Sequence, residues 1–84
     1  MSNVDYSKLH SLTAKELVRA LHKDGFNLER SSGAHHQFYH PDNRRVTVSY
    51  HHTGDTFKLR TLKSMIETQA QWTDEDLKRL SILK

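Results

Sequence analysis

The sequence predicts an α+β domain with the element order α-β-β-β-α and a short third helix at its end. Three observations carry this. "TAKELVRALHKDGF" has the spacing and punctuation of an amphipathic helix. "AHHQFYH" and "RRVTVSY" alternate on either side of the turn formers "PDN", as the arms of a hairpin do. "FKLRTLKSMIETQA" and "TDEDLKRLSIL" then return to helical spacing. In such an order a three-stranded antiparallel sheet can be covered by two helices on one face, leaving the other to solvent.

Residues 1–12 show no clear period, so they are expected to form a flexible extension, with a single domain over 13–84. Thr13 is a good N-cap, and Glu16 three residues on completes a capping box. Ala14, Leu17, Val18 and Leu21 form one apolar stripe, and Gly25 suits the left-handed residue that ends a helix. "FNLER" alternates, with Phe26 and Leu28 on one face, and "SSG" is expected to break that strand. In the next strand Ala34, His36, Phe38 and His40 share one face, and His35, Gln37 and Tyr39 the other. After the "PDN" turn, Val46, Val48 and Tyr50 alternate with Arg45, Thr47 and Ser49. "HHTGDT" reads as a loop. The second helix should turn Leu59, Leu62, Met65 or Ile66, and Ala70 inward. Thr73 caps the third, whose acids sit in the first turn where the helix dipole favours them. Leu77, Leu80 and Leu83 face in.

Composition bounds the function. The chain is 35% hydrophobic and 27% charged, enough for a modest core in one small domain. It has no cysteine, which removes disulfides, thiolate zinc sites and thiol nucleophiles and suits a reducing cytosol. No apolar run approaches the ~20 residues of a membrane span, and the N-terminus lacks the apolar core of a secretory signal, so a cytoplasmic location is expected. Net charge is +3, and it is uneven: residues 1–63 carry ten Lys/Arg against six Asp/Glu, residues 64–84 three against four. A basic first three quarters fits a polyanion such as RNA.

If Phe38, Val46 and Val48 face the helices, then His35, Gln37, Tyr39, Arg45, Thr47 and Ser49 share the open face. An imidazole, an aromatic ring, a guanidinium and hydroxyls together can hold a phosphate backbone or stack a base. Five histidines fall between positions 35 and 52, which raises the question of a metal. His35 and His36 point apart on a strand, and His36 and His40 stand ~13 Å apart along it. No HExxH motif appears. No metal or cofactor is expected. His40, His51 and His52 are read as solvent-facing, His22 as lying on the polar side of its helix.

A helix ending in Gly-Phe, a strand, a Gly-x-His turn, the "HPDNRRVTV" hairpin and a "TLKSMI" helix, in this order over roughly residues 13–80, resembles the HicA family of bacterial mRNA interferase toxins. The resemblance implies a double-stranded-RNA-binding-like fold and an endoribonuclease that cleaves mRNA and is silenced by a HicB antitoxin. It also implies one essential histidine in a Gly-Ser-His turn. Here that turn is Gly33-Ala34-His35, with Ala34 in the place of the family's serine. Ser49 stands where a proline is common, and "KLRTL" where many members have Pro-Gly before Thr-Leu.

RNA carries its own nucleophile, the 2′-hydroxyl. Cleavage then needs a base, charge stabilisation at the phosphorane and an acid for the leaving oxygen. Histidine as a residue type serves because its ordinary pKa, roughly 6.5, lies near working pH. On the resemblance, His35 is the base or acid, without a metal, and Gly33 permits close backbone approach. Arg44, Arg45 or Lys58 would neutralise phosphate charge, and Tyr39 or a second histidine such as His36 would move the other proton. The alternative is an RNA-binding module of the same fold that does not cut, since fold alone separates neither. A face that binds only protein is a third reading.

Overall fold

The architecture was read from a computed structural model, which describes Val4 and residues 6–83. The first helix, α1 (Ala14–Asp24), begins at the expected capping box. The Thr13 hydroxyl accepts the Glu16 amide at 3.3 Å, and the Glu16 carboxylate accepts the Thr13 amide at 2.9 Å. It ends in a Schellman turn: Gly25 takes φ 107°, its amide reaches His22 O at 3.1 Å, and the Phe26 amide reaches Leu21 O at 2.9 Å. Gly25 is required twice over, since a Cβ there would also stand 2.9 Å from the His40 ring nitrogen.

Three strands follow: β1 (Asn27–Ser32), β2 (His35–Tyr39) and β3 (Arg45–Ser49), paired antiparallel in the order β1-β2-β3. The strand β1 runs through Ser31 and Ser32 rather than breaking there, because Ser31 pairs with His36 and Ser32 with His35. Only Gly33 and Ala34 form the turn. Gly33 has φ 58° while Ala34 stays negative, the pattern of a two-residue hairpin with glycine first. The β2–β3 turn is built as expected. Asn43 donates to His40 O, adopts φ 79°, and lets His40 pair with Arg44 at 2.9 Å.

Next come α2 (Leu59–Lys63), a wide π-helical turn (Ser64–Gln69) and α3 (Asp74–Arg79). The single second helix expected from the spacing is thus split into an α and a π part. The Ala70 amide reaches back five residues to Met65 O at 2.8 Å. Met65 and Ile66 are both buried, and Leu59, expected inward, is 55% exposed. The widened turn brings Gln69 to the outer edge of β3, where its side-chain carbonyl accepts the Thr47 amide at 2.8 Å. That satisfies a free edge amide that would otherwise invite pairing.

Phe38, Val46 and Val48 on the sheet, with Leu17, Leu21, Leu62, Ile66 and Leu77 from the helices, are each 1% exposed or less. Trp72, Leu80 and Leu83 complete the core. The helices therefore cover one face of the sheet, as the α-β-β-β-α order predicts. Leu28 does not join Phe26 inside: it is 49% exposed. The segment read as an extension contributes to the core. Leu9 and Leu12 are 1% and 7% exposed, and the Tyr6 hydroxyl bonds Glu67. Residues 1–3 and 5 lie outside the described residues.

Asp24, at the last position of α1, ties four segments together. Its carboxylate accepts the Trp72 indole N–H at 2.9 Å and pairs with Arg44 at 3.1 Å and Arg79 at 2.8 Å. Its main-chain carbonyl accepts His40 Nε2–H at 2.8 Å. Burial, the largest single effect, works against its charge. The hydrogen bonds from Trp72 and Arg79 and the two guanidiniums outweigh it and hold the carboxyl below its ordinary 3.8.

Candidate functional site

The cross-strand register fixes which side chains share the open face. His35 lies opposite Ser49, Gln37 opposite Thr47, and Tyr39 opposite Arg45. These are the six residues that alternation assigns to that face. His35 is the first residue of β2, straight after the Gly33-Ala34 turn. Its imidazole is exposed, and Nδ1 stands 3.4 Å from the Ser49 hydroxyl. A Cβ at Gly33 would meet nothing within 4 Å, so the glycine is required by φ rather than by crowding. The space over the turn is open to a ligand backbone. Gly33→Ala is expected to cost about 1–3 kcal/mol of stability through backbone strain alone, read as a lowered urea midpoint with unchanged slope.

At the other end of β2, the Arg45 guanidinium sits 4.4 Å from the centre of the Tyr39 ring. The cation lies over the ring face, a cation–π pair that makes this end of the sheet a positively charged stacking platform.

His36 faces the other way. Its ring stacks on Tyr50 at 4.1 Å, Nδ1 is 2.8 Å from the Ser31 hydroxyl, and Nε2 is 3.4 Å from Tyr50 O. A carbonyl can only accept, so Nε2 carries the proton and Ser31 donates to Nδ1. Both nitrogens are occupied, away from His35.

Arg44 is likewise engaged. Nε bonds Asp42 at 2.8 Å, Nη1 bonds Ala70 O at 2.6 Å, Nη2 pairs with Asp24, and the group lies 5.0 Å over the Phe26 ring. All its edges are used in joining the hairpin turn to the helices, so it is not brought to the open face. Lys58 is exposed and caps α2, outside the strands.

His40, expected in solvent, is a framework residue with a side chain 17% exposed, packed edge-on against Phe26. The "HP" at the turn hid this, because its partners on α1 are distant in sequence. His51 and His52 are exposed as expected, in a loop whose backbone amides both donate to Asp55. These bonds hold the Asp55 carboxyl below its ordinary value. Among the described residues no three His, Asp or Glu side chains converge in a way that could hold a metal ion, and no helix is long and apolar enough to cross a membrane.

Sequence reasoning missed Glu29 and Arg30, which line the same face beside Gln37, Tyr39 and Arg45. It also gave Ser49 no role beside His35.

A three-stranded antiparallel sheet backed by helices in the order α-β-β-β-α makes this an α+β domain, and its bare face carries a turn-borne histidine and an aromatic–guanidinium pair. The family model for the HicA toxin of bacterial toxin–antitoxin systems matches residues 14–72 of the 84. The chain belongs to the HicA toxin family, and so to the toxin side of a toxin–antitoxin pair. No curated protein matches it.

Proposed function

We propose that this toxin is an endoribonuclease that cleaves mRNA on the open face of its sheet, with His35 moving the proton of the attacking 2′-hydroxyl or of the leaving oxygen. The observation that supports this best is the position of His35. It is the exposed histidine that opens β2 behind a bare glycine turn, with a hydroxyl 3.4 Å from Nδ1. The Ser49 hydroxyl donating to Nδ1 would leave Nε2 as the protonated nitrogen; accepting, it would leave Nε2 as the base. Ser49, opposite His35 on β3, thus stands as an orienting group beside the turn in which Ala34 replaces the family's serine. Arg45 and Lys58 supply positive charge to the phosphates, and Tyr39, at the far end of β2 from His35, offers a stacking surface rather than a second proton-transfer group. Arg44 is assigned to holding the hairpin, and His36 to the sheet.

The reaction needs no metal in this reading, since RNA supplies its own nucleophile. The bond from the 2′-oxygen to phosphorus forms as the bond to the 5′-oxygen breaks, leaving a 2′,3′-cyclic phosphate and a 5′-hydroxyl. End-labelled mRNA incubated with the purified protein in EDTA tests this. Cuts with those two ends are expected; cuts with 5′-phosphate ends, or cutting abolished by EDTA, would exclude it.

The partner is a HicB-type antitoxin that covers the His35 face and competes with RNA for it, through a surface more acidic than this one. A non-cutting RNA-binding module is the second reading, favoured by Ala34 alone. Either way RNA binding should weaken steeply with salt. Arg45→Ala should flatten the log–log salt dependence by about 0.7, the contribution of one single-strand phosphate contact, as fluorescence anisotropy across a salt series would show.

A further inference from the structure

An irregularity in β1 changes which side chains share the open face. Leu28 pairs with Phe38 and Arg30 with Gln37, so Glu29 is an extra residue, a β-bulge. Regular alternation would send Arg30 to the side of Leu28 and Phe38, the helix-covered side. The bulge turns it to the side of Gln37 instead. Glu29 and Arg30 are consecutive, yet both line one concavity of about 630 Å3, with Gln37, Tyr39 and Arg45 as its other walls. Neither the Glu29 nor the Arg30 side chain has a hydrogen-bond or ion-pair partner among the described residues, so both are free to meet a ligand.

A groove built only to hold phosphates would not contain Glu29, whose carboxylate repels them. A carboxylate beside two donors, at the foot of a stacking platform, matches the edge of a base. We infer that this concavity is a nucleobase subsite, which takes one single-stranded RNA base bearing an exocyclic amino group and discriminates against uracil. The inference rests on the RNA reading of this face and adds base selection to it.

Adenine and cytosine each place an amino donor next to a ring acceptor, and guanine sets its amino and imino donors beside a carbonyl. Glu29 accepts from the amino group, while Arg30 or Gln37 donates to the acceptor. Uracil flanks its one N–H with two carbonyl oxygens, which face the Glu29 carboxylate unfavourably. The base itself stacks on the Arg45 guanidinium plane or the Tyr39 ring. Tyr39 lies four residues from His35 along β2, about 13 Å in an extended strand. The subsite therefore reads a base flanking the cut, not the one at it.

The test uses binding, so that it stands apart from cleavage. Nonamers of 2′-O-methyluridine, which cannot be cut through the 2′-oxygen, would be prepared all-uridine or with one central A, C or G. Their affinities would be measured by anisotropy for the wild type and for Glu29→Gln, an exposed substitution checked for folding by circular dichroism. The wild type should bind each amino-bearing nonamer about tenfold more tightly than all-uridine, the effect of one good base-edge contact. In Glu29→Gln that ratio should collapse towards one, because the new amide N–H can serve a uracil oxygen. Equal affinity of the wild type for all four nonamers would overturn the subsite. So would an equal tightening of all four in Glu29→Gln, which would mean that Glu29 acts only as a charge. A wild type that selects bases but never cuts RNA would refute the nuclease reading and leave the subsite standing.

Discussion

His35→Ala should lose roughly a hundred- to ten-thousand-fold in the rate of RNA cleavage, the range that one positioned proton-transfer group supplies. Its fold should be unchanged, because His35 is exposed at the start of β2 and, among the described residues, its side chain makes one hydrogen bond, the long 3.4 Å approach to Ser49. Affinity for RNA should change little, since the platform of Tyr39 and Arg45 stays in place. The informative contrast is His36→Ala. It removes a ring that stacks on Tyr50 and joins Ser31 to Tyr50 O, so it should cost stability while leaving the cleavage rate per folded molecule near the wild type's. A toxin assay in cells should follow the same order, with His35→Ala harmless to growth and His36→Ala toxic where it folds.

Asp24→Ala should destabilise the fold by about 3 kcal/mol, the low end for breaking a buried ion pair, because Arg79 can turn to water. The carboxylate is 8% exposed and Arg44 17%, so removing Asp24 leaves the Arg44 guanidinium and the Trp72 N–H short of partners in a largely dry site, whereas Arg79 is half exposed. Urea denaturation should show the lowered midpoint. The same carboxylate makes stability depend on acid. Its folded pKa lies below the unfolded 3.8, so its contribution is complete above that value and is lost as pH falls through the lower, folded one. Asp76, held down chiefly by the Thr73 amide, adds to the same window. Stability should therefore fall as pH drops below about 4, and less steeply in Asp24→Ala than in the wild type. Arg79→Ala, by contrast, should lower the urea midpoint far less than Asp24→Ala, because the Arg79 side chain is half exposed and water can take its place beside Asp24.

The features legible in the sequence were those set by local rules. Thr13 with Glu16 and Thr73 with an acid three residues later are capping signals, and both form. Strict alternation in "HHQFY" and "RVTVS" assigned the open face side chain by side chain, because each strand carries an apolar residue that must go inside. In β1 the rule ran out. "NLERSS" has one apolar residue, Leu28, and it is exposed, so nothing in the sequence pins the register or reveals the bulge at Glu29. The same limit hid the roles of Arg44 and His40. Each looked like a surface residue of a turn, and each is held by Asp24, some twenty positions earlier. The second helix looked uniform because its apolar spacing suits either helical width near Met65 and Ile66. Its widening is tied to the contact of Gln69 with Thr47 on another element. Residues 6–12 lack a period because they contribute isolated anchors, Leu9 and Leu12, rather than a helix face.

The central claim is that this toxin cuts RNA through the RNA's own 2′-hydroxyl, with His35 moving one of the protons of that reaction. Once the cut has been mapped, its most direct test is a matched pair of oligonucleotides with the mapped sequence, one all-ribose and one with a single 2′-deoxynucleotide immediately 5′ of the cut, both incubated with the wild type in EDTA. The account predicts rapid cutting of the first and none at that position in the second. Equal cutting of both would show that the nucleophile comes from elsewhere and would contradict it.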